Sequence, residues 1–369
     1  MSETVEEKKI VKREVKREKK KKSKKKRLFG FLMFLIIVGG IVLFLLYFPS
    51  CGILDTMTKG FSTRYEFSSH YEATSKFEKT GYLDMVNIKW RDGDVKVYTH
   101  DSDEILFEET PNETITEKFM MHCNYQETDK YGHSLLVQYC KSGNWKFGNL
   151  KKDLTVYIPK REDINITIHT YNSDVLFDFS DTKLSDMQIQ SNHGSVDGTF
   201  DSADVVRLLG SSSKTVKSGY HFNVTETGIV NKLSFSTCQS MNLNLNEVNY
   251  FDGGSVWGKV DISLSKAKQA DIALASYDLD FIIGVIDKIN LKDKYSNGGD
   301  VNLYFDTDAS YTIEITRKDY KENGEVVSRT TTNNIGEKIS DSVYKIGSGT
   351  NKVSITLSGN LNILENETE

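Results

Sequence analysis

After Gly81 the chain alternates apolar and polar residues with a period of two, as in Leu154, Val156 and Ile158, Ile164, Ile166 and Ile168, and Val175, Phe177 and Phe179. Val301, Leu303 and Phe305, and Val353, Ile355 and Leu357, repeat the pattern. Short alternating runs rich in Val, Ile, Thr and Tyr predict strands that bury one face. Helical spacing is nearly absent from this region. Upstream the pattern differs: residues 28–48, LFGFLMFLIIVGGIVLFLLYF, form 21 positions without a charge. That length matches the roughly 20 apolar residues a helix needs to cross about 30 Å of hydrocarbon, and predicts one transmembrane helix. A cleaved signal peptide normally has an apolar core of about 7 to 15 residues followed by small residues, whereas Phe48 and Pro49 stand at those places. The same two residues spoil a lipoprotein reading of Cys51.

A turn-then-strand phrase recurs within the alternating region. It reads Asp92-Gly93-Asp94-Val95, Asn172-Ser173-Asp174-Val175, His193-Gly194-Ser195-Val196, Asp252-Gly253-Gly254-Ser255-Val256 and Gly298-Gly299-Asp300-Val301, with a looser copy at Ser276-Tyr277-Asp278-Leu279. The repeat-turn positions are therefore Asp94, Asp174, Ser195, Ser255, Asp278 and Asp300. The intervals 174 to 195, 255 to 278 and 278 to 300 are 21, 23 and 22 residues, and a period near 21 predicts stacked coils. Gly tolerates positive φ at a corner, and a short Asp or Ser can bond nearby backbone before the chain re-enters a strand. One coil cannot bury its apolar face alone, so coils share a continuous core.

In order, these features resemble the putative adhesin family of bacterial surface domains. The resemblance covers roughly Gly81 to Leu364. It runs from an initial strand pair around Val86 to Tyr98, through a hairpin insert, the phrase Leu154-Thr155-Val156-Tyr157-Ile158-Pro159 and the Gly-Asp-Val coils, to Gly347-Ser348-Gly349-Thr350-Asn351-Lys352-Val353 and Leu357-Ser358-Gly359-Asn360-Leu361. The resemblance implies a β-solenoid or a rolled two-layer sheet, often behind a membrane anchor, and supplies no catalytic residues. Lys214 to Asn231 and Tyr320 to Asp341 depart from the period.

Charge sets the expected orientation. Residues 1–27 hold 14 Lys or Arg against 5 Glu, a net of +9, leaving −14 for the rest of a chain that totals −5. Positive flanks stay on the cytoplasmic side, so the acidic remainder is expected outside, at the cell membrane. The basic run is read first as a topology signal; a lysine cluster beside a bilayer also attracts anionic lipid. No aromatic or folded module accompanies it, and no nucleic-acid partner is expected.

Candidate chemistry is sparse. Cys123 and Cys140 are the candidate disulfide: a turn centred on residues 130–133 sets them opposite each other in a hairpin, although the alternation of Leu135, Val137 and Tyr139 turns Cys140 to the other face unless a bulge intervenes. Cys238 is read as buried. The seven histidines match no zinc-ligand spacing. Asp92, Asp94, Asp174, Asp252 and Asp300 could align along one solenoid edge, yet the strict nonapeptide calcium repeat is missing. A carbohydrate-cleaving solenoid needs a carboxylate pair with a cation or tyrosine in a groove, and the sequence alone discloses no such constellation. There is no Gly-x-Ser-x-Gly elbow and no phosphate-cradling Gly-x-x-x-x-Gly-Lys loop. Among Trp90, Trp145 and Trp257, candidates for exposed contact patches, Trp257 is preferred because it alternates with Val256.

The expected organisation is a basic cytoplasmic tail at 1–27, a transmembrane helix at 28–48, a stalk at 49–80, an all-β domain at 81–364 and a tail at 365–369. The expected function is non-enzymatic: a single-pass, adhesin-like module that binds or scaffolds in the cell envelope. Beyond the lipid bilayer, its expected partners are cell-wall polymer, an envelope protein or a second copy of itself, and no cofactor is expected. Alternatives are an envelope-stress sensor and, behind it, a carbohydrate-active enzyme.

Overall fold

The computed structural model describes residues 33, 72–115, 117, 120–129, 132–138, 151–161, 163–210, 220–236, 240–254, 258–274, 278–293, 299–319, 321–322, 325–326 and 329–367. Apart from Met33, these belong to one compact unit built of strands.

The first strands are β1 (Glu72–Thr74), β2 (Lys76–Thr80), β3 (Met85–Asp92), β4 (Val95–His100), β5 (Glu104–Pro111), β6 (Met121–Thr128), β7 (Gly132–Gln138), β8 (Lys152–Pro159) and β9 (Ile164–Asn172). Five longer strands follow: β10 (Val175–Gly210), β11 (Tyr220–Ser236), β12 (Ser240–Gly253), β13 (Lys259–Leu274) and β14 (Asp278–Asp293). The chain closes with β15 (Val301–Phe305), β16 (Tyr311–Arg317), β17 (Lys321–Glu322), β18 (Glu325–Val326), β19 (Thr331–Asn333), β20 (Glu337–Ser340), β21 (Val343–Ile346), β22 (Asn351–Leu357) and β23 (Leu361–Glu365).

The long strands turn corners, and each contributes to two walls. In the first wall the order is β2, β5, β8, β4, two passes of β10 (175–178, paired with β4, and 194–200, paired with β11), then the leading parts of β11 to β14, and finally β15, β23 and β19. The second wall runs β1, β6, β7, β3, β9, two passes of β10 (184–193, paired with β9, and 203–209, paired with β11), the trailing parts of β11 to β14, then β22, β16, β21 and β20. From β3 and β4 onward the coil-to-coil pairings are parallel. Antiparallel strands close both walls at the β1 and β2 end and the second wall at the β20 end, while the first wall finishes on β19, parallel to β23. This is a two-walled β-solenoid.

Alternation dictates the interior. Each inward row is buried, as with Val260, Ile262 and Leu264 in β13 and Leu279, Phe281 and Ile283 in β14. Successive coils lie about 4.8 Å apart, and inward rings meet within and between them: Phe177 and Phe179, two residues apart on β10, have centroids 5.4 Å apart, and Phe235 of β11 and Phe251 of β12, diagonal in the register, 5.5 Å. Each such side chain contributes about 1.5–3 kcal/mol of burial. Gly198 has no Cβ because one placed there meets the Phe177 ring at 2.5 Å.

Three expectations change. The helical part of the expected fold is corrected: among the described residues no helix is long and apolar enough to cross a membrane, and 28–48, apart from Met33, falls outside them. Among the described residues the fold is all-β. The period is corrected next. Side chains across the Asp174 to Ser195 coil are 21 residues apart, but partners in three central coils are 19 apart and those across Asp278 to Asp300 are 22. The register sets Lys259, not Ser255, opposite Asp278, so the phrase at 252–256 precedes the true strand re-entry. Finally, strands start at Glu72 rather than after Gly81, because β1 pairs with β6 and β2 with β5.

Candidate ligand-binding face

The repeat-turn residues fasten one coil to the next. The Asp94 N–H donates to Asp153 Oδ1 (2.9 Å), the Ser195 N–H to Asp174 Oδ1 (2.6 Å) and the Asp300 N–H to Asp278 Oδ1 (3.0 Å). Asn360 Nδ2 completes the run on Asp300 Oδ1 at 2.8 Å. These carboxylates satisfy corner backbone groups that the sheet ladder leaves unpaired. Burial, then the charges of Asp153 and Asp174, push the Asp94 carboxyl up. Ser255 and Trp257 lie outside the described residues.

Other singled-out residues separate. Cys123 is buried in β6, and the hairpin register pairs it with Val137; Cys140 and Cys238 lie outside the described residues. Trp90 is a core residue, not a surface contact: it is fully buried, and its Nε1 donates to the Lys152 carbonyl at 2.6 Å. Beside it the buried Lys152 ammonium contacts Glu109 at 2.9 Å. His169 sits opposite Gln190 and His193 opposite Asn172, so adjacent coils do not join the two histidines. Burial pushes both imidazoles down.

What converges instead is the outer face of the first wall. Register aligns Asp197, Asn223, Asn242, Asp261, Asp280, Asn302 and Asn362 in one column. The amides are tied along it: Asn223 Nδ2 donates to Asp197 Oδ1 (3.1 Å), Asn242 Nδ2 to Asn223 Oδ1 (3.0 Å), Asn302 Nδ2 to Asp280 Oδ1 (2.6 Å) and Asn362 Nδ2 to Asn302 Oδ1 (2.6 Å). One pleat step away runs a second outward column, Thr199, Thr225, Asn244, Ser263, Ile282, Tyr304 and Leu364.

Two depressions lie along this face. The larger, about 620 Å³, has Asn242, Asp261, Ser263, Asp280, Ile282 and Tyr304 in its lining, together with Asn334 and the segment Leu364, Glu365, Asn366 and Glu367. That segment is held by the Glu365 N–H on Asn334 Oδ1 (3.0 Å) and by Asn366, whose N–H donates to the Phe305 carbonyl and whose Nδ2 donates to Asp306 Oδ1, both at 2.8 Å. The smaller depression, about 360 Å³, is lined by Tyr98, Leu176, Asp178, Thr199, Asn223 and Thr225 among others. At its end Tyr98 packs on Tyr157 with centroids 5.7 Å apart.

The groove holds the carboxylate pair that the sequence alone does not disclose. Lys259 Nζ contacts Asp261 at 3.0 Å and Asp280 at 3.1 Å. Burial alone raises the Asp280 carboxyl, but hydrogen bonds from Asn302 and Lys259 and the lysine charge outweigh it and hold Asp280 below the usual range. Burial, with the Asp280 charge, pushes the Tyr304 phenol up. Lys259 thus bridges the two carboxylates. Sequence reasoning missed both residues; their signal is outward parity combined with the 19-residue spacing.

Comparison with known proteins adds little to this geometry. No family model and no curated protein matches the chain. Among solved structures, a putative cell adhesion protein from Clostridium sporogenes aligns over 79% of this chain and 99% of its own, at 10% identity and a TM-score of 0.25. A likeness of that size carries no argument about function, and the fold assignment rests on the strand register.

Proposed function

We propose that this chain is an adhesin-like binding module of the cell envelope, non-enzymatic, that engages its partner through the outer face of the first wall. One observation carries the reading: both depressions open on the same face and are joined by the ladder of outward amides and carboxylates from Asp197 to Asn362. Pockets that combine an apolar patch with a few fixed polar groups are the usual form of a binding site. Side chains tied to one another in advance lose little freedom on binding. Cell-wall polymer, an envelope protein and a second copy are the partner classes such a face could serve, and an outward location is part of the proposal.

The test is a pull-down of the purified chain with isolated envelopes separated into wall polymer, membrane and protein. Saturable binding to one fraction, weakened at least tenfold by Tyr304→Ala, supports the reading. Binding that ignores Tyr304→Ala and Leu176→Asp, or no saturable binding by a folded chain, removes it.

A further inference from the structure

Resting on that reading, we infer that the larger groove takes an uncharged, hydroxyl-rich polysaccharide, lying across successive rungs from β12 to β23. Three independent features of the lining point to this ligand class. The polar column offers fixed acceptors, Asp261 and Asp280, beside an outward amide, Asn242. Carboxylates clamped by Lys259 and Asn302 keep lone pairs for hydroxyl donors, and their orientation is set before a ligand arrives.

The neighbouring column supplies the complement. Ile282 is 39% exposed, and Tyr304 and Leu364 follow it in register on the next two rungs. An apolar strip one pleat step from a polar strip matches a pyranose ring, which is apolar on its C–H face and polar at its rim. A peptide ligand fits less well, because the strands beneath the groove are paired on both sides and offer no free edge for strand addition.

Charge excludes the common anionic polymers. The described lining holds Asp261, Asp280, Glu365 and Glu367 and no basic residue, and Lys259 beside it contacts the two aspartates. A phosphate or uronate chain placed there meets like charge at close range. Length then distinguishes a polymer from a small sugar: five rungs, from β12 through β15 to β23, span about 19 Å at about 4.8 Å each. The ladder continues past the groove to the second depression, so further sugar units find further amides.

The experiment is calorimetric titration of the full chain with uncharged β-linked oligosaccharides of two, four and six units, chito- and cello-oligosaccharides among them. Poly(glycerol phosphate) serves as the anionic control. Affinity rising at least tenfold from dimer to hexamer is expected, with no anionic binding. Tyr304→Ala and Ile282→Asp, both on the surface, are expected to lose at least tenfold while Tyr304→Phe keeps affinity, circular dichroism confirming that each variant is folded. If no uncharged oligosaccharide binds while the envelope protein fraction or poly(glycerol phosphate) does, the ligand class is wrong and the binding role survives. If neither oligosaccharide nor any envelope fraction binds the folded chain, both fall.

Discussion

Glu226 is a buried carboxyl whose charge the fold disfavours. It ends the leading part of β11, is 2% exposed, and its Oε2 accepts the Asn246 N–H at 2.9 Å and the Glu247 N–H at 3.2 Å. Its Oε1 is buried with no partner among the described residues. Burial pushes the carboxyl up from 4.5 to about 7; the backbone bonds from Asn246 and Glu247 pull the other way, and the charge of Asp201 adds to the rise. A group that holds its proton more tightly folded than unfolded stabilises the fold fully below the unfolded pKa and loses that contribution as pH rises through the folded one. The loss therefore runs from about pH 4.5 to about pH 7, and at about 1.4 kcal/mol per pH unit it reaches about 3 kcal/mol. Glu226→Gln keeps the shape and the acceptor while removing the charge. Urea unfolding of variant and parent, compared at pH 5 and pH 8, is expected to show near equality at the lower pH and a variant more stable by about 2–3 kcal/mol at the higher. A difference that is the same at both pH values, or larger at pH 5, refutes the reasoning.

Other substitutions test other links. Lys152→Met leaves the Glu109 carboxylate buried without its cation and is expected to cost about 3–5 kcal/mol in a denaturant melt, most of it recovered in the Glu109→Leu, Lys152→Met double variant. Gly93→Ala puts a Cβ 2.2 Å from the Lys152 carbonyl at φ +114°; a loss of at least about 2 kcal/mol is expected, and an unchanged melt contradicts the close approach. Asp174→Ala deprives the Ser195 N–H of its acceptor and is expected to cost about 1 kcal/mol, read as faster amide exchange at Ser195. Phe281→Ala opens a cavity in the stacked core for about 3–5 kcal/mol.

Parity was the legible part of the sequence. Val301, Leu303 and Phe305 read as inward and are buried. Trp90 shares its parity with Val86 and Ile88, so its burial could have been read from the same rule that found the strands. Period was less legible, because the turn phrase and the strand re-entry do not keep a fixed distance: Ser255 resembles Asp278 in sequence, yet the register puts Lys259 there. That four-residue error hides the site. Asp261 and Asp280 fall into one column only once the coils are counted as 19 residues. Asp174 and Asp278 of the phrase proved to be fasteners, since a short carboxylate at a corner is drawn first to the unpaired N–H of the next coil.

On the proposed binding role, fastening and recognition occupy different positions of the same coil. Inward residues and corner carboxylates carry the stability, through burial and through backbone bonds that no outward residue replaces. Outward positions of the first wall, such as Ile282 and Tyr304, support no comparable interior contact, and surface changes of this kind usually stay within about 0.5 kcal/mol. A chain built this way can alter what it binds coil by coil without refolding. Each outward column is read by a ligand as a row of side chains about 4.8 Å apart. An elongated partner that spans several rungs gains from every one of them, while a compact partner contacts one or two. On the proposed binding role, the architecture thus favours extended ligands before any particular side chain is considered, and the acidic lining of the Asp261, Asp280 and Tyr304 groove then selects among them by charge.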